Sequence, residues 1–313
     1  MEYLLTLQNF REAMPEIVTV IAAVYSELLM NAGPLLGAVI FWCISKEAGS
    51  KVLFALCTGD LATNTVKLTA CVYRPWIRDS RLHVAEAARE GATGYSFPSG
   101  HTTGATATFG MTAIWKRDRR KLAAVLVGLI FLAGFARNFL GAHTAADVIT
   151  ALAVGAVSIG FVCFWYGKLG SDGAGEVAVL IGYLVCAALV LIYVSLRSYP
   201  MDLGADGMLL ADPNVMRADA FSSAGMLTGW VVGWFIERRW IRFRVEGSTK
   251  EKVLRAIFGV LLFGLLYKVI MKKAVARLAL GLGAFIRRFV SFFFLSCLYP
   301  GLIGISQKRR NVQ

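Results

Sequence analysis

Residues 122–166 read LAAVLVGLIFLAGFARNFLGAHTAADVITALAVGAVSIGFVCFWY. A helix needs about 20 apolar residues to cross the hydrocarbon core of a bilayer, and this stretch supplies two such runs, 122–140 and 146–166. Its only charged or imidazole side chains are Arg137, His143 and Asp147, all near the joint between the runs. Two consecutive spans with their polar groups gathered at the joint read as a membrane hairpin that presents those groups at one surface.

Working outward from the hairpin, further candidate spans fall at 17–43, 52–72, 102–115, 175–196, 219–236, 254–271 and 289–305. The span at 102–115 is short, and Pro300 interrupts the last. The expected fold is an all-α, polytopic transmembrane helix bundle of about nine spans. Glu2, Arg11, Glu12 and Glu16 break the basic-then-apolar order of a cleavable signal, so the first span is expected to stay in the mature protein.

Composition agrees with a membrane class. Of 313 residues, 57% are hydrophobic and 17% are charged, against about 25% charged in soluble domains. Too little polar surface remains to cover a water-soluble core. The net charge of +13 would suit nucleic acid, but the basic residues stand in short runs between apolar segments, as membrane sidedness requires. Lys46, Lys51, the run from Lys116 to Lys121, Lys168, the cluster from Arg238 to Arg255 and the run Lys308-Arg309-Arg310 fall on one side. Placing that side in the cytoplasm turns 73–101, 137–145 and 197–218 outward or into a lumen, and no nucleic-acid partner is expected. The six cysteines lie inside apolar stretches without C-x-x-C spacing, which reads as buried small hydrophobes.

Three clusters carry chemistry. The second span holds Asp60, Asn64 and Lys67, with Arg74 a further seven residues on, a spacing that keeps all four on one helical face. Ionisable groups at that depth point into the bundle as a functional site, or as an Asp60–Lys67 contact that ties helices together. Pro75 is expected to end the helix. Lys67 and Arg74, about 10 Å apart along such a helix, could converge on a tetrahedral anion, for which a point charge and a planar fork are both suited.

The second cluster is Gly94-Tyr95-Ser96-Phe97-Pro98-Ser99-Gly100-His101, immediately ahead of an apolar segment. Ser99 and Gly100 would stand at a helix N-terminus, where backbone N–H groups favour an anion; Ser99 could equally be an ordinary N-cap. His101, one of three histidines in the chain, shares its membrane face with Arg74. In the third cluster Arg137 and His143 would lie about 240° apart on an unbroken helix, so a break near Gly141 is needed to turn both inward. Asp147, four residues after His143, could fix the imidazole tautomer and raise the basicity of the free nitrogen. Metal ligation by His101, His143 and Asp147 competes with this reading, but Lys67, Arg74 and Arg137 already supply positive charge. No metal or other cofactor is expected.

Taken together, Lys67 with Arg74-Pro75, Pro98-Ser99-Gly100-His101, and Arg137 with His143 and Asp147 resemble the three motifs of the type 2 phosphatidic acid phosphatase superfamily of membrane lipid phosphatases. Ala136 departs from the pattern, which has Ser there. The resemblance implies a six-span phosphatase core at 17–196; the interfacial segment at 1–16 and the outward loop and further spans at 197–313 lie outside what it predicts and rest on the apolar pattern. It implies metal-independent phosphoryl transfer: His143 attacks phosphorus to give a phosphohistidine, Asp147 orients its ring and His101 is the general acid. Lys67, Arg74, Ser99, the Gly100 amide and Arg137 would bind the phosphoryl oxygens. The implied partner is a membrane lipid phosphate held in the bilayer, phosphatidate-like or a polyprenyl diphosphate. A lipid or sugar phosphotransferase, a glucose-6-phosphatase-like enzyme and a catalytically silent lipid-binding relative stay open. The absence of N-x-Ser/Thr acceptors leans toward a bacterial plasma membrane.

Overall fold

The computed structural model describes residues 1–89, 91, 92, 94–170, 173–204 and 206–310. A short helix α1 (Glu2–Glu12) leads into α2 (Glu16–Cys43) and α3 (Lys46–Ala70). Helix α4 starts as Gly100–Ala105 and runs on through the π turn Thr106–Gly110 and Met111–Trp115. It is followed by α5 (Arg120–Phe139), α6 (Ala145–Tyr166), α7 (Ala174–Leu196) and α8 (Pro213–Ile236). Helix α9 (Thr249–Leu265) continues through Leu266–Ile270 to Met271–Ala274, and α10 (Leu280–Phe293) continues through Phe294–Leu298 to Tyr299–Arg310. All nine expected spans therefore coincide with helical rods.

Among the described residues, six rods are long and apolar enough to cross a membrane: α2, α5, α6, α7, α9 and α10. The other three, α3, α4 and α8, are shielded by their neighbours, so their sequences can carry polar groups that lipid contact would forbid. Large apolar side chains such as Phe131, Val157, Phe164, Leu189 and Leu261 are instead exposed on the outer helices.

One continuous core joins the two ends of the chain. Phe54 of α3 meets Trp165 of α6 and Trp230 and Trp234 of α8 edge to face, and stacks on Tyr183 of α7. Helices α8 and α10 approach closely along Gly225, Gly229 and Gly233; a Cβ at the first two would strike the backbones of Phe285 and Phe289, and one at the third would strike Ser296. Small residues at four-residue spacing let membrane helices pack backbone to backbone. This seam sets the wall of the site described below.

Four local expectations are corrected. Helix α3 ends at Ala70, capped by Cys71 in the left-handed region at φ 48, so Arg74 lies in a loop beyond the helix and not on its face. Pro75 does not end that helix; it opens a separate turn, Pro75–Arg78, at a position where its missing N–H costs nothing. The six thiols are unbridged, but Cys163 and Cys186 are exposed on outer helices and not buried. Pro300 does not divide the last rod, because the π turn Phe294–Leu298 directly before it absorbs the mismatch.

Candidate active site

The three motif clusters meet at one end of the bundle. Their meeting depends on the break after α5. Phe139 ends the helix, Gly141 takes φ +71, and the Ala142 and His143 amides both donate to the Arg137 carbonyl, at 3.0 and 3.2 Å. The reversal turns His143 back toward Arg137, as the spacing required. Asn138 Nδ2 donates to the His143 carbonyl at 3.1 Å and fixes the turn from the other side.

His143 is buried, and each ring nitrogen has a defined neighbour. An Arg74 Nη1 lies 2.9 Å from Nε2. A guanidinium can only donate, so Nε2 bears the lone pair and the proton belongs on Nδ1. Nδ1 lies 3.4 Å from Asp147 Oδ2 and 3.4 Å from Ser96 Oγ. Ser96 in turn donates to Asp147 Oδ2 at 2.5 Å. The carboxylate also closes a capping box at the start of α6, accepting from the Thr144 amide at 2.7 Å while Thr144 Oγ1 accepts from the Asp147 amide at 3.2 Å. Asp147 is therefore held rigidly by its own helix end. Burial, reinforced by the Arg74 guanidinium, pushes the His143 imidazole well below its usual range, which favours its neutral form.

The cationic groups surround that nitrogen. Arg74 is fixed by donation from Nε to the Gly94 carbonyl at 3.1 Å and from Nη1 to the Ala142 carbonyl at 2.9 Å. Lys67 Nζ donates to the Tyr95 carbonyl at 3.1 Å, tying α3 to the loop ahead of α4. Arg137 is fully buried and donates from Nη1 to Ser26 Oγ at 3.2 Å, while its Nε and Nη2 lack hydrogen-bond partners among the described residues. Orphaned donors on a buried guanidinium are costly, and a bound anion would satisfy them. Ala136 supplies no hydroxyl at the position before Arg137.

Ser99 serves as the N-cap of α4. Its oxygen accepts from the Thr102 amide at 3.4 Å and from Thr102 Oγ1 at 3.0 Å, and its own amide donates to the Asp147 carbonyl at 3.1 Å. The hydroxyl would have to donate to phosphate from that position. Gly100 lines the cavity at the same helix start, and nothing lies within 4 Å of the position a Cβ would take there.

Two residues that the motifs did not single out complete the geometry. Glu27 of α2 places Oε1 2.9 Å from His101 Nε2 and 4.0 Å from Arg137 Nη1. Ser96 bridges His143 and Asp147, as above. Glu27 lies in an otherwise apolar span, and an isolated carboxylate at membrane depth was the available signal. Ser96 carried none beyond its place in the quoted loop.

Lys67, Arg74, Gly100, His101 and His143 line a cavity of about 170 Å³. Arg74 also borders a separate outer hollow of about 360 Å³, walled by Trp76, Ile77, Arg89, Leu209 and Val215 among others. The Arg74 side chain thus stands between the buried cavity and the bundle end. Among the described residues, no three His, Cys, Asp or Glu side chains converge as metal ligands.

A helical bundle that turns a buried imidazole lone pair toward buried cations has the chemistry to hold an oxyanion there. Residues 48–171 match the PAP2 superfamily, and residues 221–305 match the PAP2 superfamily phosphatase, transmembrane extension. The chain thus carries a PAP2 superfamily domain followed by that superfamily's transmembrane extension. It is similar to the undecaprenyl-diphosphatase BcrC of Bacillus subtilis (strain 168), with 33% identity over 132 residues, 41% of this chain and 64% of that relative. The match thus spans less than two thirds of the relative's length. No solved structure matches the chain.

Proposed function

We propose that the protein is an integral membrane lipid-phosphate phosphatase that hydrolyses a phosphomonoester or diphosphate of a lipid through a phosphohistidine. The observation that carries this reading is the pairing of Arg74 Nη1 with the lone pair of His143 Nε2. An entering phosphoryl group takes the place of that lone-pair contact, and Arg74 passes from the nitrogen to a phosphoryl oxygen. Nε2 then attacks phosphorus while the bond to the leaving oxygen breaks. Lys67, Arg74, Arg137, Ser99 and the Gly100 amide carry the growing charge, the positioning and electrostatic work that dominates this chemistry.

His101 gives the leaving oxygen its proton. Glu27 at Nε2 holds that ring and stabilises its protonated form. Asp147 and Ser96 hold the Nδ1 proton of His143 and so keep Nε2 as the nucleophile. Water cleaves the phosphoenzyme with His101 acting as base, the reverse of its first role. No metal enters any of these steps.

Helix polarity supports an outward site. Lys67 is near the end of α3, while Lys46 at its start pairs with Glu237, and Arg238 and Arg239 pair with Glu176 at the same end of the bundle. The basic rim and the cavity therefore sit at opposite ends, which under positive-inside sidedness supports a site at the extracytoplasmic face. This reading includes passage of α3, α4 and α8 across the bilayer, nine spans in all, in a bacterial plasma membrane.

Phosphate release by detergent-purified protein in EDTA, measured on phosphatidate, polyprenyl diphosphate and glucose 6-phosphate, tests the proposal. Release from a lipid substrate that persists in EDTA and disappears in His143→Ala is expected. Full activity in that variant, or strict dependence on added divalent metal, would overturn the mechanism.

A further inference from the structure

The buried cavity does not stop at the phosphoryl site. It extends along α3 past Lys67 to Asn64 and Asp60, two helical turns deeper, and its far wall comes from the C-terminal helices. Helix α8 contributes Asp219, Ser222 and Ser223, and α10 contributes Arg288. These side chains lie outside all three motifs, and none has a part in the chemistry above.

They form an ordered polar wall. Asn64 Nδ2 donates to Ser223 Oγ at 2.7 Å, and Ser223 Oγ donates to Asp60 Oδ2 at 2.6 Å. Arg288 Nε donates to Ser222 Oγ at 3.2 Å. Among the described residues the Asp219 carboxylate has no hydrogen-bond or ion-pair partner, although it faces the same cavity. Carboxylates this deep in a bundle are expensive unless something polar meets them.

We infer that this wall is a subsite for a hydroxyl-bearing group attached to the phosphate, a sugar or polyol head. The inference rests on the phosphatase reading and adds the class of substrate. Two carboxylates, an amide and two hydroxyls match the alternating donors and acceptors of neighbouring alcohols: Asp219 and Asp60 accept from hydroxyls, and Arg288 donates to their oxygens. A second phosphate would find Arg288 and Lys67 in this cavity but would also face the Asp60 and Asp219 carboxylates, which offer it no donor, whereas hydroxyls pair with both kinds of group. An acyl chain would leave the whole set unpaired, with Met30 the main apolar contact in the cavity. On this basis the transmembrane extension is part of the recognition surface, because α8 and α10 supply most of the wall.

The test compares a lipid that carries its phosphomonoester on a sugar head group with phosphatidate of the same acyl chains and with a polyprenyl diphosphate, in wild-type protein. A kcat/KM at least tenfold higher for the sugar-bearing lipid is expected. Equal values, or a preference for either of the others, would overturn the subsite and leave the phosphatase reading standing; no release from any of the three in the wild type would sink the phosphatase reading itself. In Asp219→Asn and Ser222→Ala the ratio of kcat/KM between the sugar-bearing lipid and phosphatidate should fall at least tenfold, and an unchanged ratio would count against the inference. Free inositol offers a readout on the wild type that needs no variant: competitive inhibition is expected, and none at high concentration would contradict the subsite.

Discussion

Arg74 and His143 are 69 residues apart in sequence, yet an Arg74 Nη1 lies 2.9 Å from His143 Nε2 and also donates to the carbonyl of Ala142, the residue before that histidine. One guanidinium therefore fixes the backbone of the His143 turn and also contacts the ring nitrogen assigned above as the proposed nucleophile. Arg74→Ala should lower kcat/KM about 10²–10³-fold, the usual cost of removing a preorganised donor to a developing oxyanion. Arg74→Lys should recover little, since an ammonium cannot hold carbonyl and phosphoryl oxygens in one plane. Steady-state phosphate release decides this, and a Lys variant at wild-type rate would refute the bidentate role.

Glu27 touches His101 and approaches Arg137. If it positions the general acid, Glu27→Gln should lower kcat by about 10–100-fold, within the range of acid–base contributions, with a smaller change in KM. Its pH–rate profile should also shift, which a purely structural loss would not produce. The double variant Glu27→Gln/His101→Ala should be no slower than His101→Ala alone, because the two act as one unit. Additive losses would separate Glu27 from His101.

The meeting of the three clusters was legible because each is local: Lys67, Pro98 to His101, and Arg137 to Asp147 sit at fixed spacings beside helix ends. Gly141 was legible for the same reason, since only a reversal there could turn Arg137 and His143 inward. Glu27 and the α8–α10 wall were not. Their partners lie far away in sequence, and an isolated Glu, Asp or Ser in an apolar run shows depth but not direction. The position of Arg74 was misread because periodicity was carried through Cys71, where a left-handed cap ends the helix. The seam along Gly225, Gly229 and Gly233 is a contact the sequence alone does not show, because its partner in α10 lies far along the chain.

That seam is a second place to test the fold. A Cβ at Gly229 would meet the Phe289 backbone, which cannot rotate away as a side chain could. Gly229→Ala should therefore force α8 and α10 apart and cost about 1–3 kcal/mol, the range for overpacking. Thermal unfolding in detergent should show a lower midpoint, whereas Gly264→Ala, at a position with nothing within 4 Å of the added Cβ, should not. Equal midpoints for the two variants would remove the close-approach argument.

Burial of neutral His143 couples stability to pH. Burial and then Arg74 lower its folded pKa well below the usual value, while an unfolded chain takes up a proton there near pH 6.5. The stabilisation is therefore complete above that pH and declines as the pH falls toward the folded value. The unfolding midpoint should drop between pH 7.5 and 5.5, and His143→Gln should flatten the dependence. An equally steep drop in the variant would assign the effect to other groups.

The orientation rests on opposite placement of the basic rim and the cavity, and can be read without activity. Met208 is exposed in the segment between α7 and α8, at the cavity end of the bundle, whereas Lys116 follows α4 at the other end. In a background with Cys163 and Cys186 replaced, since both are exposed, a cysteine at 208 should react with a membrane-impermeant maleimide added to intact cells. A cysteine at 116 should react only after permeabilisation. The reverse pattern would turn the phosphoryl site toward the cytoplasm, and the Lys46, Arg238 and Arg239 pairs would then stand on the outside, against the sidedness that basic residues otherwise follow.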